Sequence, residues 1–93
     1  MVRSSESYNP KGHPEVRVNL NSIDAVKDFV NKAMQHDFNM DLASLTTQHI
    51  IDAKSIMGIF SLDLSQDIAL VAYTTPAEAK AFFDAIANYV VNA

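Results

Sequence analysis

Residues 48–62 read Gln48-His49-Ile50-Ile51-Asp52, then Ala53-Lys54, then Ser55-Ile56-Met57-Gly58-Ile59-Phe60-Ser61-Leu62. The first five make a short apolar-centred run with the character of a strand. The last eight are too few for a standard amphipathic helix and too apolar for a loop, and predict a short helical segment from 55 to about 62. On a helical wheel Ile59 and Leu62 share one side, whereas Ile56, Met57 and Phe60 cluster on another. So short a helix cannot bury both sets under a small sheet. Either the second cluster is an exposed contact surface, or all five residues are core packed around a wide turn. Ser55 falls at the N-cap, with Lys54 before it and Asp52 three residues upstream. Two readings of it stand side by side. It is an ordinary capping serine, or it is a phosphoacceptor whose phosphate would face the first N–H groups of the helix.

Upstream of this stretch, Phe38, Met40 and Leu42 alternate with Asn39, Asp41 and Ala43, as a half-buried strand requires. With Ser44-Leu45-Thr46 as a loose connection, this strand pairs with 48–52 as a hairpin. Before it, Ile23, Val26, Phe29, Val30, Ala33 and Met34 recur at helical spacing. Asn21-Ser22 supplies the N-cap, Asp24 suits the first turn, and Asp28 and Lys32 form an i,i+4 pair on the wet face. That helix should end near 35–37. Earlier still, Val16, Val18 and Leu20 alternate from Glu15 onward as a first strand. Downstream, Ile68, Leu70 and Ala72 alternate as a fourth. Thr75-Pro76-Ala77-Glu78 then reads as a capping box with proline at the first helical position, Glu78 reaching back to the cap. The helix it opens carries Ala79, Phe82, Phe83, Ile86 and Val90 on one stripe. The order is strand, helix, strand, strand, short helix, strand, helix. It predicts an α+β two-layer sandwich with the helices on one face of a mostly antiparallel sheet.

A chain of 93 residues has room for one small domain. Its composition shifts near residue 15, and residues 1–14 are expected to be a flexible N-terminal extension to a domain spanning 15–93. Arg3 and Lys11 against Glu6 give the extension +1, so the remainder carries −5 of the total −4. That balance argues against nucleic-acid or membrane binding driven by net charge. With no cysteine there is no disulfide scaffold, thiolate metal site or thiol catalysis. The first fourteen residues lack the apolar core of a signal peptide, and no apolar run approaches the ~20 residues of a membrane span. A cytoplasmic protein is expected, with neither cofactor nor metal. His13 lies in the extension, His36 at the far end of the first helix, and His49 on the third strand as half-buried packing. Asp63, Asp67 and Asp84 read as solvated.

The run Asp52-Ala53-Lys54-Ser55-Ile56-Met57-Gly58-Ile59-Phe60-Ser61-Leu62 resembles the regulatory-serine segment of the bacterial HPr family, the phosphocarrier proteins of the sugar phosphotransferase system. In that family a Lys-Ser-Ile-Met-Gly run opens a short helix and is followed by a hydrophobic pair and Ser-Leu. The element order also resembles the family's βαββαβα open-faced sandwich, so the resemblance spans about 15–91. It implies a kinase of the HPr kinase/phosphorylase kind acting on Ser55. It also implies a partner such as a catabolite-control transcription regulator docking on Lys54, Ile56, Met57 and Phe60. The family carries its phosphorylated histidine in a Gly-x-His-x-Arg-Pro stretch between the first strand and first helix. This chain reads Asn19-Leu20-Asn21-Ser22-Ile23-Asp24-Ala25 there, with no His, Arg or Pro. Ser22 is no equal substitute, because a phosphoserine ester is a far poorer phosphoryl donor than a phosphoimidazole. The expected function is therefore a non-catalytic regulatory or adaptor protein without histidine phosphocarrier activity. A diverged binding or homodimerisation module without phosphorylation is the alternative, and a phosphocarrier with an unconventional acceptor is a third reading.

Overall fold

The computed structural model describes Asn9 and residues 11–47 and 49–91. Its elements are β1 (Glu15–Val18), α1 (Ile23–Ala33), β2 (Met40–Ser44), β3 (Ile50–Asp52), α2 (Ile56–Phe60), β4 (Ile68–Ala72) and α3 (Pro76–Ala85), the order expected from the sequence. The four strands form one antiparallel sheet in the order β1-β4-β2-β3. One face carries Val18, Met40, Leu42, Ile68 and Leu70 into a core that α1, α2 and α3 complete with Val26, Phe29, Val30, Ala33, Ile59 and Phe82. This is the open-faced α+β sandwich.

Each main helix forms for the reasons its sequence states. Ser22 Oγ accepts the Ala25 N–H at 3.0 Å, and Thr75 Oγ1 accepts that of Glu78, with Pro76 following the cap. Of the α1 stripe, Val26, Phe29, Val30 and Ala33 are buried, whereas Ile23 and Met34 lie exposed beyond the two ends of the core contact. Met34 is already the C-cap, so the helix stops slightly before the expected 35–37. The box at α3 is half formed: the Glu78 carboxylate accepts from the Thr74 hydroxyl instead of returning to the cap.

The stripe expected to run through Val90 is broken. After α3 the chain tightens into a 3₁₀ turn over Ala87–Tyr89 and then runs alongside β1. Val18 and Val90 form a β-bridge, Asn19 N–H donates to Tyr89 O, and Val91 N–H donates to Arg17 O. Lys32 and Tyr89 both donate to Asp28, at 2.8 and 2.7 Å, fastening this turn to α1. The Lys32 bond, with that of Tyr89, holds the Asp28 carboxyl below the usual range.

Two further differences concern the sheet. The expected third strand begins at residue 48, which lies outside the described residues, and His49 is exposed ahead of β3 rather than half-buried on it. In β4 every residue is buried, not only the alternating set. As one of the two interior strands it has neighbours on both sides, so Ala69 sits in register between Arg17 and Ala43, and Val71 between Glu15 and Asp41.

The described residues ahead of β1 hold specific contacts. Asn9 is buried; its amide donates to His13 O and the Glu15 carboxylate, and its side-chain oxygen accepts the His13 N–H at 2.8 Å. Gly12 closes this turn with φ +68°, a conformation side chains other than glycine rarely adopt. Ala72 N–H then donates to Pro14 O. The sheet ladder thus reaches residue 14, and the remainder of the expected extension, residues 1–8 and 10, lies outside the described residues.

The His13 ring packs edge-on against Tyr73, whose hydroxyl donates to Asp41 at 2.8 Å. Burial, with the Asp41 hydrogen bond second, pushes the Tyr73 phenol up to about 12. Its folded-state value is raised, so the contribution is complete below the unfolded value near ~10 and disappears as pH rises toward 12. Discounted for solvent screening of a partly exposed phenol, the loss is about 1 kcal/mol. Urea unfolding at pH 9 and pH 12 should show this extra loss in the parent and not in Tyr73→Phe.

Candidate functional site

The hairpin delivers the chain from β3 into α2 through a tight turn. Ser55 N–H donates to Asp52 O, and Lys54 N–H donates to the Asp52 side chain. These bonds turn the backbone so that Ser55, in extended conformation, becomes the N-cap of α2, its Oγ accepting the Gly58 N–H at 3.0 Å. Its side chain is half-buried. Ser61 caps the other end, its hydroxyl donating to Gly58 O.

Of the two apolar sets on this helix, Ile59 and Leu62 are buried, at 0% and 8% exposure. Ile56, Met57 and Phe60 are exposed, at 38%, 80% and 41%. The alternative of a five-residue core around a wide turn is therefore excluded: the helix divides its apolar residues between core and surface. The structure brings Ser55, Ile56, Met57 and Phe60 together on one short element, and Met57 is the most exposed large apolar residue among those described.

Lys54, expected as a partner contact, also holds a bond within the fold. Its ammonium donates to the backbone oxygen of His36 at 2.6 Å, across 18 residues of chain. A cation there suits the C-terminal end of α1, where carbonyls lack intrahelical partners. The lysine thus ties the turn before Ser55 to the end of α1. Nothing in the local sequence signals the bond, because only the packed fold brings residues 36 and 54 together. The His36 ring meanwhile lies against Phe38 and Phe82.

The segment between β1 and α1 is built from capping and tethering groups. Asn19 donates its amide to Asp67 at 3.1 Å, Ser22 caps α1, and Asp24 is exposed in the first turn. Of the carboxylates expected to be solvated, Asp63 and Asp84 are exposed and bond to Ser65 and Lys80 at the surface, whereas Asp67 is half-buried and accepts from Asn19. Two hydrogen bonds from Ser65 hold the Asp63 carboxyl below its ordinary value. Among the described residues, no group of three or more His, Asp or Glu is arranged to hold a metal ion, and no helix is long and apolar enough to cross a membrane.

Comparison with curated proteins gives no match. Among solved structures, the chain is similar to the crystal structure of HPr-C-His from Thermoanaerobacter tengcongensis, at 23% identity and a TM-score of 0.66. The match covers 81% of this chain and 88% of that one, and at this identity it establishes the fold. The family model described as the PTS HPr component phosphorylation site matches residues 17–92, from β1 to the segment that closes its edge. The chain therefore belongs to the HPr family of the phosphotransferase system, a family of phosphocarriers rather than catalytic enzymes.

Proposed function

We propose that this protein is a regulatory adaptor of the HPr family, modified at Ser55 and recognised by protein partners through α2. The observation that carries this reading is the division of α2, with Met57, Ile56 and Phe60 turned to solvent beside a half-buried capping serine. An exposed apolar cluster on so small a surface is suited to a protein contact. A phosphoryl group on Ser55 would set about two negative charges beside that cluster, enough to recruit a basic partner or repel an acidic one. Family membership supports a kinase of the HPr kinase/phosphorylase kind and a catabolite-control-type transcription regulator as the two partners, meeting in the cytoplasm. Lys54 belongs to the same contact surface and also holds the turn, its ammonium engaged on His36 O. Residues 19–25 carry no imidazole at the start of α1, so no phosphoryl transfer from phosphoenolpyruvate is expected.

A second reading is favoured by the Gly58–Ser55 bond itself: Ser55 is a cap, and α2 is an interface for a partner or a second copy without phosphorylation. Intact-mass measurement separates the two. After incubation with an HPr-type kinase and ATP, one phosphate is expected on the parent and none on Ser55→Ala. No gain is expected with enzyme I and phosphoenolpyruvate. The variant should lose no more than the ~1 kcal/mol of a missing cap. Absence of any mass gain would leave the cap reading, and labelling from phosphoenolpyruvate would overturn the adaptor reading.

A further inference from the structure

We propose that Gly58 is a specificity-determining residue for modification at Ser55, because its missing side chain keeps the acceptor oxygen accessible. The inference rests on the reading of Ser55 as a phosphoacceptor. Gly58 lies inside α2, where glycine is disfavoured relative to alanine, and its φ is not in the left-handed region. Backbone conformation therefore gives no reason for glycine here, and space does. A Cβ on residue 58 would stand 3.1 Å from Ser55 Oγ and 3.4 Å from both Ser55 Cβ and Ile51 Cβ.

In the transfer, Ser55 Oγ forms a bond to the γ-phosphorus of a nucleoside triphosphate while the bond from that phosphorus to the bridging oxygen breaks. The diphosphate leaves with the electron pair, and the hydroxyl proton passes to a base of the kinase. The reacting atoms must first approach to about 3–3.5 Å. A methyl group 3.1 Å from the nucleophile competes for that volume. To relieve the crowding the serine must shift by a few tenths of an ångström from its place against the Gly58 N–H that now orients it. The new methyl would also rest in van der Waals contact with Ile51, from β3.

The test is steady-state phosphorylation of the full chain by an HPr-type kinase with magnesium ATP, comparing the parent, Gly58→Ala and Met57→Ala. For Gly58→Ala, kcat should fall tenfold or more with KM little changed, and the melting temperature should stay within a few degrees of the parent. Met57→Ala, which truncates the exposed contact, should instead raise KM. A Gly58→Ala kcat within twofold of the parent overturns the role of Gly58 and leaves Ser55 as acceptor. A variant that melts far below the parent overturns it too, in favour of a packing role. A parent that takes up no phosphate overturns the Ser55 reading and this inference together.

Discussion

Replacing Phe82 with alanine is expected to destabilise the fold by about 3–5 kcal/mol, the largest loss of any single truncation. Phe82 is fully buried on α3, and its ring meets Phe29 of α1 at 5.7 Å as well as Phe38, His36 and Phe83. It is the point where both long helices and the approach to β2 meet. Truncation therefore removes several aromatic contacts and leaves a cavity bounded by three elements, which cannot all close in at once. For a domain whose whole stability is about 5–15 kcal/mol, much of the margin would go. Urea unfolding followed by circular dichroism measures it directly. A loss below ~1 kcal/mol would mean that the neighbouring rings collapse into the space.

Ile59→Ala and Met57→Gln, two positions apart on α2, should have opposite signatures. Ile59 has 0% exposure and joins α2 to the core, so its truncation should destabilise by about 2–5 kcal/mol. Met57 is 80% exposed, and a polar replacement should change stability by less than about 0.5 kcal/mol while weakening any partner that docks on α2. Urea unfolding of both variants, with a binding measurement on the second, tests the division of the helix. Comparable destabilisation by the two would return Met57 to the core.

The alternation of Val16 and Val18 and of Met40 and Leu42, and the spacing of Val26, Phe29, Val30 and Ala33, were readable because burial on one side imposes a period on the sequence. The caps at Ser22, Ser55 and Thr75 were readable because they are local chemistry. What the sequence hid was non-local. Val90 has the spacing of the α3 stripe, but pairing with the open edge of β1 competes with helix for it, and Val91 wins a ladder bond there. Ala69 and Val71 look like the outward set of an alternating strand, and only the interior place of β4 buries them. At the site, the wheel separated Ile59 and Leu62 from Ile56, Met57 and Phe60. Which set faced water depended on where the sheet lay. The Lys54–His36 bond left no trace in either neighbourhood.

The strand order has a consequence for how the chain comes to be folded. β1 and β2 each pair with β4 and not with one another, and β4 begins only at Ile68. A chain emerging from the ribosome as far as residue 67 holds β1, β2 and β3, yet among the described residues the only pairing of these strands is the β2–β3 hairpin. β1 must wait through some fifty residues for its first neighbour. A lone two-stranded hairpin is marginal in water, so the sheet is assembled late, by insertion of β4 between two waiting partners. Acquisition of the full sheet is thereby postponed until β4 has been made, and the loop closures that come with it favour slower folding than a helical protein of equal length.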